Sequence, residues 1–255
     1  MFDKLESFVG VIWSFLLAFT AAAQQLGEEP EEFIRFLQTK DGKILVPGMV
    51  EFVVFARRGN KPVKPLSQQL TEWKLFYKKF FRHQLDVESI RIPARQEGFD
   101  RLIVVAKGFT LNQIYAVMAR HFDCWRYTEN LDKAVTHNDR DANRDGSYAV
   151  WMRDRQEADE ENKNQSARQR WQAKSQDVTL AEQMLYNVKF WDETGEHPDM
   201  HNWTMCSGSR AADGHVLDML CSYGEVKVYW DNPGNSYGNF RARSVVSGEL
   251  KASGA

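Results

Sequence analysis

Residues 179–195, TLAEQMLYNVKFWDETG, mark the point at which helical structure ends in this 255-residue chain. Thr179 and Glu182 have the spacing of a capping box, in which two side chains satisfy backbone N–H groups at the start of a helix. Gly195 stands where glycine commonly ends one, because it accepts the left-handed backbone of a helix terminus. The stretch therefore predicts a helix over residues 180–194.

Beyond Gly195 no helical periodicity remains, and four apolar segments alternate with turn-forming residues. The segments are NWTMCS, HVLDMLCS, EVKVYWD and FRARSVV. The turn before the last segment contains Pro233-Gly234, a pair favoured in type II turns. Short apolar segments joined by such turns predict a C-terminal antiparallel β-meander.

The region before residue 179 mixes helices and strands. FDRLIVVAKG, DCWRYT and GSYAVWMRD are typical of strands, whereas Thr110 and Gln113 form a second capping-box pair before LNQIYAVMARHF. The predicted fold class is α+β, with N-terminal helices plus a mixed α/β layer and the C-terminal meander. We expect residues 1–87 to hold an apolar helix, a strand at residues 49–58 and a basic amphipathic helix, and residues 88–255 to form an α+β domain. One continuous domain is the alternative.

Residues 154–177, DRQEADEENKNQSARQRWQAKSQD, have no apolar periodicity. A helix is recognised by the apolar face that it buries, and this segment offers none. The pattern therefore predicts an exposed helix or a mobile connection.

Several segments between about residues 88 and 247 resemble a family of uncharacterised bacterial proteins. The segments are FDRLIVVAKGFT, WMRDRQEADEE, TLAEQMLYNVKFWDETGEHPD, TMCSGSRAADGHV and FRARSVVS. The resemblance implies a bacterial protein but no activity, and it assigns no site residues.

The composition is that of an ordinary folded protein, with 43% hydrophobic and 27% charged residues. Its three cysteines, Cys124, Cys206 and Cys221, cannot all pair with one another, which argues against a disulfide scaffold. Sparse, odd cysteines favour a reducing, cytoplasmic compartment.

The chain has one long apolar run, from Phe8 to Ala23. Its sixteen residues fall short of the roughly 20 that a membrane-spanning helix needs. A packed helix is the favoured interpretation. Export or contact with a membrane surface is the alternative, because Ala21, Ala22 and Ala23 are typical of a signal-peptide cleavage site.

The region from Arg57 to Arg95 is strongly basic. It contains ten basic and three acidic residues, in a chain whose formal net charge is −2. Residues 66–85, LSQQLTEWKLFYKKFFRHQL, have apolar residues at helical spacing, with Ser67 as the expected cap. A cationic face on this helix attracts phosphates without selecting a nucleotide sequence. The predicted binding residues are Arg57, Arg58, Lys74, Lys78, Lys79 and Arg82.

The aromatic residues of this helix allow two interpretations. If exposed, they can stack on nucleic-acid bases; they are Trp73, Phe76, Tyr77 and Phe81. An amphipathic helix that buries its aromatic face and exposes its lysines explains the same pattern and is favoured. The acidic segment from Asp154 to Glu161, with Asp159 and Glu160, can also neutralise the basic residues from within the protein.

Residues 141–151, DANRDGSYAVW, begin like a calcium-binding loop. Asp141, Asn143 and Asp145 alternate, and Gly146 follows where such a loop turns. The twelfth residue is Met152, which cannot supply the closing carboxylate. A polar turn before a strand is the favoured interpretation, because Asp, Asn and Gly all favour turns.

Two further clusters contain reactive or metal-binding residue types. The candidate zinc ligands are His197, His201, Cys206 and Cys221, although no close cysteine pair is present to begin such a site. A hydrolase is the alternative functional class, with Cys206 as nucleophile, His215 as base and Asp218 to orient the base. No cofactor is predicted.

These observations favour a non-catalytic binding module that contacts a polyanion such as nucleic acid, or an acidic protein surface, through the basic amphipathic helix. The alternatives are the hydrolase and a protein that lies on a membrane surface through its N-terminal apolar helix.

Overall fold

A computed structural model of the protein describes residues 63–248, together with Glu29, Glu31, Glu32, Arg35 and Thr39. The chain divides into two units, Met1–Pro62 and Val63–Ala255. This division falls before the basic helix, whereas the sequence led us to expect one after it. The apolar run from Phe8 to Ala23, the strand predicted at residues 49–58 and the binding residues Arg57 and Arg58 lie outside the described residues.

The smaller of two sheets in the second unit is antiparallel. Its strands are β1 (Arg101–Val105), β4 (Tyr148–Met152) and β9 (Val245–Val246), in that spatial order. All five residues of β4 are buried, as expected for a central strand.

The larger sheet is mixed. Its strands are β2 (Cys124–Arg126), β3 (Val135–Asn138), β5 (Trp203–Ala211), β6 (Val216–Ser222), β7 (Glu225–Asp231) and β8 (Phe240–Ala242). Their order is β2-β7-β6-β5-β3, with β8 also paired to β5. Strands β5, β6 and β7 pair antiparallel in succession, while β2 is parallel to β7. The α+β class is therefore confirmed, and β5, β6 and β7 form the predicted antiparallel meander. The fourth predicted segment, FRARSVV, does not continue it, because β8 is parallel to β5 and β9 belongs to the smaller sheet.

The long helix predicted from residues 179–195 lies between the two sheets. The helices of the second unit are α1 (Leu66–Phe76), α2 (Leu111–Met118), α3 (Leu131–Ala134), α4 (Ala142–Asp145), α5 (Ala167–Gln172) and α6 (Leu180–Thr194). Helix α6 contacts β1 of the smaller sheet and β5 and β6 of the larger one. Nearly all of its residues from Leu180 to Phe190 are buried, so it forms the centre of the core.

Both predicted capping boxes are present. Thr110 and Gln113 cap α2, and Thr179 and Glu182 cap α6, in each case with reciprocal side-chain and backbone hydrogen bonds. Helix α6 ends at Gly195, whose φ of 74° lies in the left-handed region that favours glycine. These capping signals lie within four residues of each helix end, so they can be recognised from the sequence alone.

The basic helix packs against β1 through its aromatic face. Trp73 and Tyr77 are each 1% exposed. Trp73 Nε1 donates a hydrogen bond of 2.9 Å to the carbonyl of Leu102, and the Tyr77 hydroxyl donates one of 2.9 Å to the carbonyl of Val104. These bonds fix the helix on β1, an edge strand of the smaller sheet, and so place it in the second unit.

The two ends of the basic helix differ from prediction. Pro65 occupies the cap position, so Ser67 lies within the first turn and the prediction that it caps the helix is wrong. The α-helix ends at Phe76 and continues as a π-helical segment, Tyr77–Phe81. Arg82 then adopts a left-handed conformation with φ of 52°, which ends the helix before Leu85.

The polar segment of residues 154–177 is neither an exposed helix nor a mobile connection, so that prediction is wrong. It contains a 3₁₀ turn, Glu160–Asn162, and helix α5. Arg170 is buried and donates hydrogen bonds to both carboxylate oxygens of buried Asp177. The same guanidinium donates to the side chains of Asn162 and Ser244 at 3.0 and 3.1 Å. Ion pairs and hydrogen bonds hold this segment in place, together with the apolar contacts of Ala167 and Trp171.

Candidate functional site

Three cations of the basic helix are exposed and unpaired. Lys74, Lys78 and Arg82 follow one another at intervals of four residues, along α1, the π-helical segment that continues it and the residue that ends that segment. None of the three has an ion pair or side-chain hydrogen bond within residues 63–248. We call these three residues the cationic stripe.

Other basic residues of the region already have partners. Lys64 forms an ion pair of 2.9 Å with Glu72, and Arg95 forms one of 2.6 Å with Asp100. Lys79, one of the predicted binding residues, pairs with Asp192 of α6, although 62% of its side chain remains exposed. Among the described residues of this region, fewer positive charges lack an acidic partner than the sequence indicates, and those of the cationic stripe are among them.

The acidic segment from Asp154 to Glu161 is neutralised by cations outside the stripe. Asp159 pairs with Arg153 at 2.6 Å, and Glu161 pairs with Arg155 at 2.6 Å. Arg155 lowers the pKa of the Glu161 carboxyl to about 2, mainly through this hydrogen-bonded pair. Glu160 pairs with Lys163 and Arg241. The acidic residues named as internal partners for the basic region are thus occupied elsewhere.

The aromatic side chains of the basic helix do not face solvent. Trp73, Phe76 and Tyr77 are buried, and Phe81 is partly buried with its ring 4.8 Å from that of Phe109. The favoured interpretation, a buried aromatic face beside a solvated lysine face, describes this geometry. Buried rings cannot stack on bases, so base stacking is not available to a nucleic acid at these positions.

The calcium-like residues form a capped helical turn. Asp141 precedes α4, and its Oδ1 accepts a hydrogen bond of 2.8 Å from the Asn143 backbone. The Asn143 side chain bonds to the backbones of Gly108 and Phe109, and Asp145 pairs with Arg144. The calcium alternative lacks support, because these side chains serve the turn itself.

The four zinc candidates do not converge. The His201 side chain is 84% exposed and lies 3.1 Å from a carboxylate oxygen of Glu157, while Cys206 and Cys221 are buried in β5 and β6. His197 packs its ring against that of Phe122. Within the described part of the chain, no group of three or more His, Cys, Asp or Glu residues is arranged to hold a metal ion.

The hydrolase candidates are also separated. Cys206 pairs with Leu217 and Met205 pairs with Asp218 across β5 and β6. Because neighbouring residues of a strand point to opposite faces, Cys206 and Asp218 lie on different faces of the sheet. Burial raises the pKa of the Cys206 thiol well above its usual range, which disfavours a thiolate nucleophile.

His215 has a different partner from the one that a triad requires. Its Nδ1 lies 2.8 Å from Asp213, two residues away, and its ring packs on Trp230. Local turn geometry, not a catalytic cleft, therefore orients this imidazole.

Sequence reasoning missed a group of aromatic residues on the Asp218 face of the larger sheet. Trp203, Tyr229, Tyr237 and Phe240 line a cavity together with this carboxyl. Their separation in the sequence hides the cluster, since only the register of β5, β6, β7 and β8 brings them together. Alternation within each strand was the one signal available, and it does not reveal which strands are neighbours.

Comparisons with known proteins found no match: no family model, curated protein or solved structure is similar to this chain at a significant level. The resemblance of residues 88–247 to a bacterial family therefore stays a prediction.

Proposed function

We propose that this protein is a non-catalytic binding module that contacts polyanions, nucleic acid first among them, through the cationic stripe. The observation that carries the proposal is that Lys74, Lys78 and Arg82 are exposed, successive and unpaired among the described residues. Exposed cations with no protein partner are free to neutralise phosphates and release counterions.

The way in which the helix is held supports this role. Hydrogen bonds from Trp73 and Tyr77 to β1 fix the buried face. The stripe is therefore presented on a rigid backbone, and only side-chain freedom is lost when an anion binds. Because the aromatic face is buried, the expected interaction is with phosphates and is independent of base sequence.

The alternatives have less support. The hydrolase requires Cys206 and Asp218 in one cleft, whereas they lie on opposite faces of a sheet. Association with a membrane surface depends on the run from Phe8 to Ala23, which lies outside the described residues. Among the residues that the structure describes, no helix has the length and apolar character needed to cross a bilayer.

The test is fluorescence anisotropy of labelled mixed-sequence oligonucleotides, single-stranded and duplex, over a range of salt concentrations. We expect similar affinity for unrelated sequences and a fall in log K with log salt of slope about 2–3 if each cation meets one phosphate. The triple variant Lys74→Glu, Lys78→Glu, Arg82→Glu should abolish binding while its circular dichroism spectrum stays unchanged.

A matched control separates the stripe from net charge. Lys107, Lys133 and Arg168 are also exposed and have no ion pair within residues 63–248, so their conversion to Glu makes the same change in total charge. This second triple should retain at least half of the binding free energy. Equal loss in both triples would refute the stripe as the site. Binding to polyglutamate without binding to oligonucleotides would show that the ligand of the cationic stripe is an acidic protein surface and not nucleic acid.

A further inference from the structure

A cavity of about 350 Å³ lies on the Asp218 face of the larger sheet. Tyr229 pairs with Asp218 across β6 and β7, so the two side chains share a face. Trp203 lies two residues before Met205, the partner of Asp218 on β5, and therefore points to the same face. Its ring centroid lies 5.1 Å from that of Tyr229. Two aromatic rings thus flank one carboxyl.

Loop and edge residues complete the walls. Phe240 pairs with Trp203 across β5 and β8 and is buried. Tyr237 packs its ring 6.2 Å from that of Phe240 and is 51% exposed. The cavity therefore has a buried aromatic base and an aromatic residue at its solvent-facing rim.

Asp218 has no partner in this cavity. The residue is only 2% exposed, and its carboxyl makes no hydrogen bond or ion pair with any described residue. A buried carboxyl without partners destabilises the folded protein, because the protein supplies nothing in place of the lost hydration. Burial, reinforced by the charge of Asp231, raises the pKa of this carboxyl well above its usual range.

The surroundings favour a positive ligand. The described residues that line the cavity include two carboxylates, Asp218 and Asp231, and no Lys or Arg. Asp231 lies two residues after Tyr229 on β7, on the same face, and its Oδ1 accepts hydrogen bonds from Asn232 and Asn235 that hold it in place. Aromatic faces attract cations through their negative quadrupole. The carboxylates and the aromatic faces of the cavity therefore both attract a cation.

We infer that this cavity binds an organic cation, specifically a primary alkylammonium group, with the ammonium donating hydrogen bonds to Asp218 and the alkyl chain lying against Trp203 and Tyr229. An ammonium supplies the N–H donors that the carboxyl lacks, and its methylene groups match the apolar walls. The site is separate from the cationic stripe and does not depend on the proposed function.

The probe is n-butylammonium, titrated into the full-length protein by isothermal titration calorimetry, with 1-butanol as the uncharged analogue. We expect saturable binding of the ammonium and none of the alcohol. Asp218→Asn keeps the shape but removes the charge, and it should weaken binding about tenfold or more. Asp123→Asn is the control, because Asp123 is an exposed carboxylate without an ion pair in the described part of the chain, and this variant should bind as the unmodified protein does.

A second variant keeps the test decisive if Asp218→Asn fails to fold. Tyr237→Ala changes an exposed side chain and should weaken butylammonium binding about two- to fivefold through loss of a cation–π contact. Equal affinity for butylammonium and butanol, or unchanged affinity in both variants, would overturn the inference. The cationic-stripe triple variant should bind butylammonium normally, so failure of the polyanion proposal does not affect this result.

Two sources of the ammonium can be distinguished with a short peptide. The peptide Gly-Gly-Lys-Gly-Gly presents the group on a chain, and its acetyl-lysine counterpart removes the charge. Tighter binding of the lysine peptide than of butylammonium, lost on acetylation, would assign the site to a protein side chain. Equal binding would assign it to a free amine, and no binding of either would refute the site.

Discussion

The basic helix and the polar segment of residues 154–177 both carry many charges but place them in opposite environments. The helix exposes Lys74, Lys78 and Arg82 without partners, while its aromatic face is buried. The polar segment buries Arg170 and Asp177 against each other. The partners that the rest of the fold supplies therefore decide whether the charges of these two regions are exposed without a partner or buried in an ion pair.

The difference has a physical cause. Removing a charge from water has a high free-energy cost that only a well-placed counter-charge and further hydrogen bonds can offset. Arg170 meets that requirement with Asp177, Asn162 and Ser244. The basic helix has no such need on its outer face, since apolar contacts on the inner face already hold it.

The largest effect should come from breaking the buried pair. Arg170→Met leaves Asp177 buried without its counter-charge, and we expect the free energy of unfolding to fall by about 3–5 kcal/mol. Urea denaturation followed by circular dichroism measures this change.

The control lies in the same segment. Arg155 pairs with Glu161, and the two side chains are 43% and 51% exposed. Arg155→Met should lower the free energy of unfolding by no more than about 1 kcal/mol, because solvent screens exposed ion pairs. Similar losses in the two variants would contradict the distinction between buried and exposed charge.

The two faces of the basic helix provide the second test. Tyr77→Phe removes a hydroxyl that bonds to the backbones of Val104 and Ala106, and we expect a loss of about 1–3 kcal/mol because buried groups are left unsatisfied. Lys78→Gln should change the free energy of unfolding by less than about 0.5 kcal/mol, as most exposed substitutions do. Thermal and urea unfolding would show no difference between the two if the helix were not fixed on β1.

Asp218 provides the third test of the comparison, since it is buried like Arg170 but unpaired like Lys78. The expected change in the free energy of unfolding is the smallest of the three. Its raised pKa means that the folded protein holds this proton more tightly than the unfolded chain, so its contribution to stability decreases as pH rises above about 4. Asp218→Asn removes the buried charge and should therefore be more stable than the unmodified protein at pH 8. The gain should be only about 1 kcal/mol, because the new amide still lacks hydrogen-bond partners.

The pH dependence of the stability difference between Asp218→Asn and the unmodified protein checks this prediction. The difference between the two proteins should shrink as pH falls from 8 towards 4, because the folded unmodified protein takes up the Asp218 proton before the unfolded chain does and is stabilised by it. Urea unfolding at a series of pH values measures it. A variant less stable than the unmodified protein at pH 8 would show that the Asp218 carboxylate has a stabilising partner.

Much of the candidate surface was predictable because its signal is local. The exposure of Lys74, Lys78 and Arg82 and the burial of the aromatic side both follow the apolar periodicity of the helix. The pairing of Lys79 with Asp192 was not predictable, because these residues are far apart in the chain and only the fold brings the π-helical segment close to α6. The face that Asp218 occupies was not predictable either, because the register of β5 and β6 decides it.

By itself, the sequence determined where α2 and α6 begin, where α6 ends and that a meander comes after it, because capping and alternation act between residues a few positions apart. Only the tertiary structure decided the environment of each charge. Arg140, for example, lies far from Glu182 in the chain, yet the two form a buried pair at 2.7 Å. Coulomb attraction and desolvation depend on distance in space, and a linear order of residues does not contain that distance.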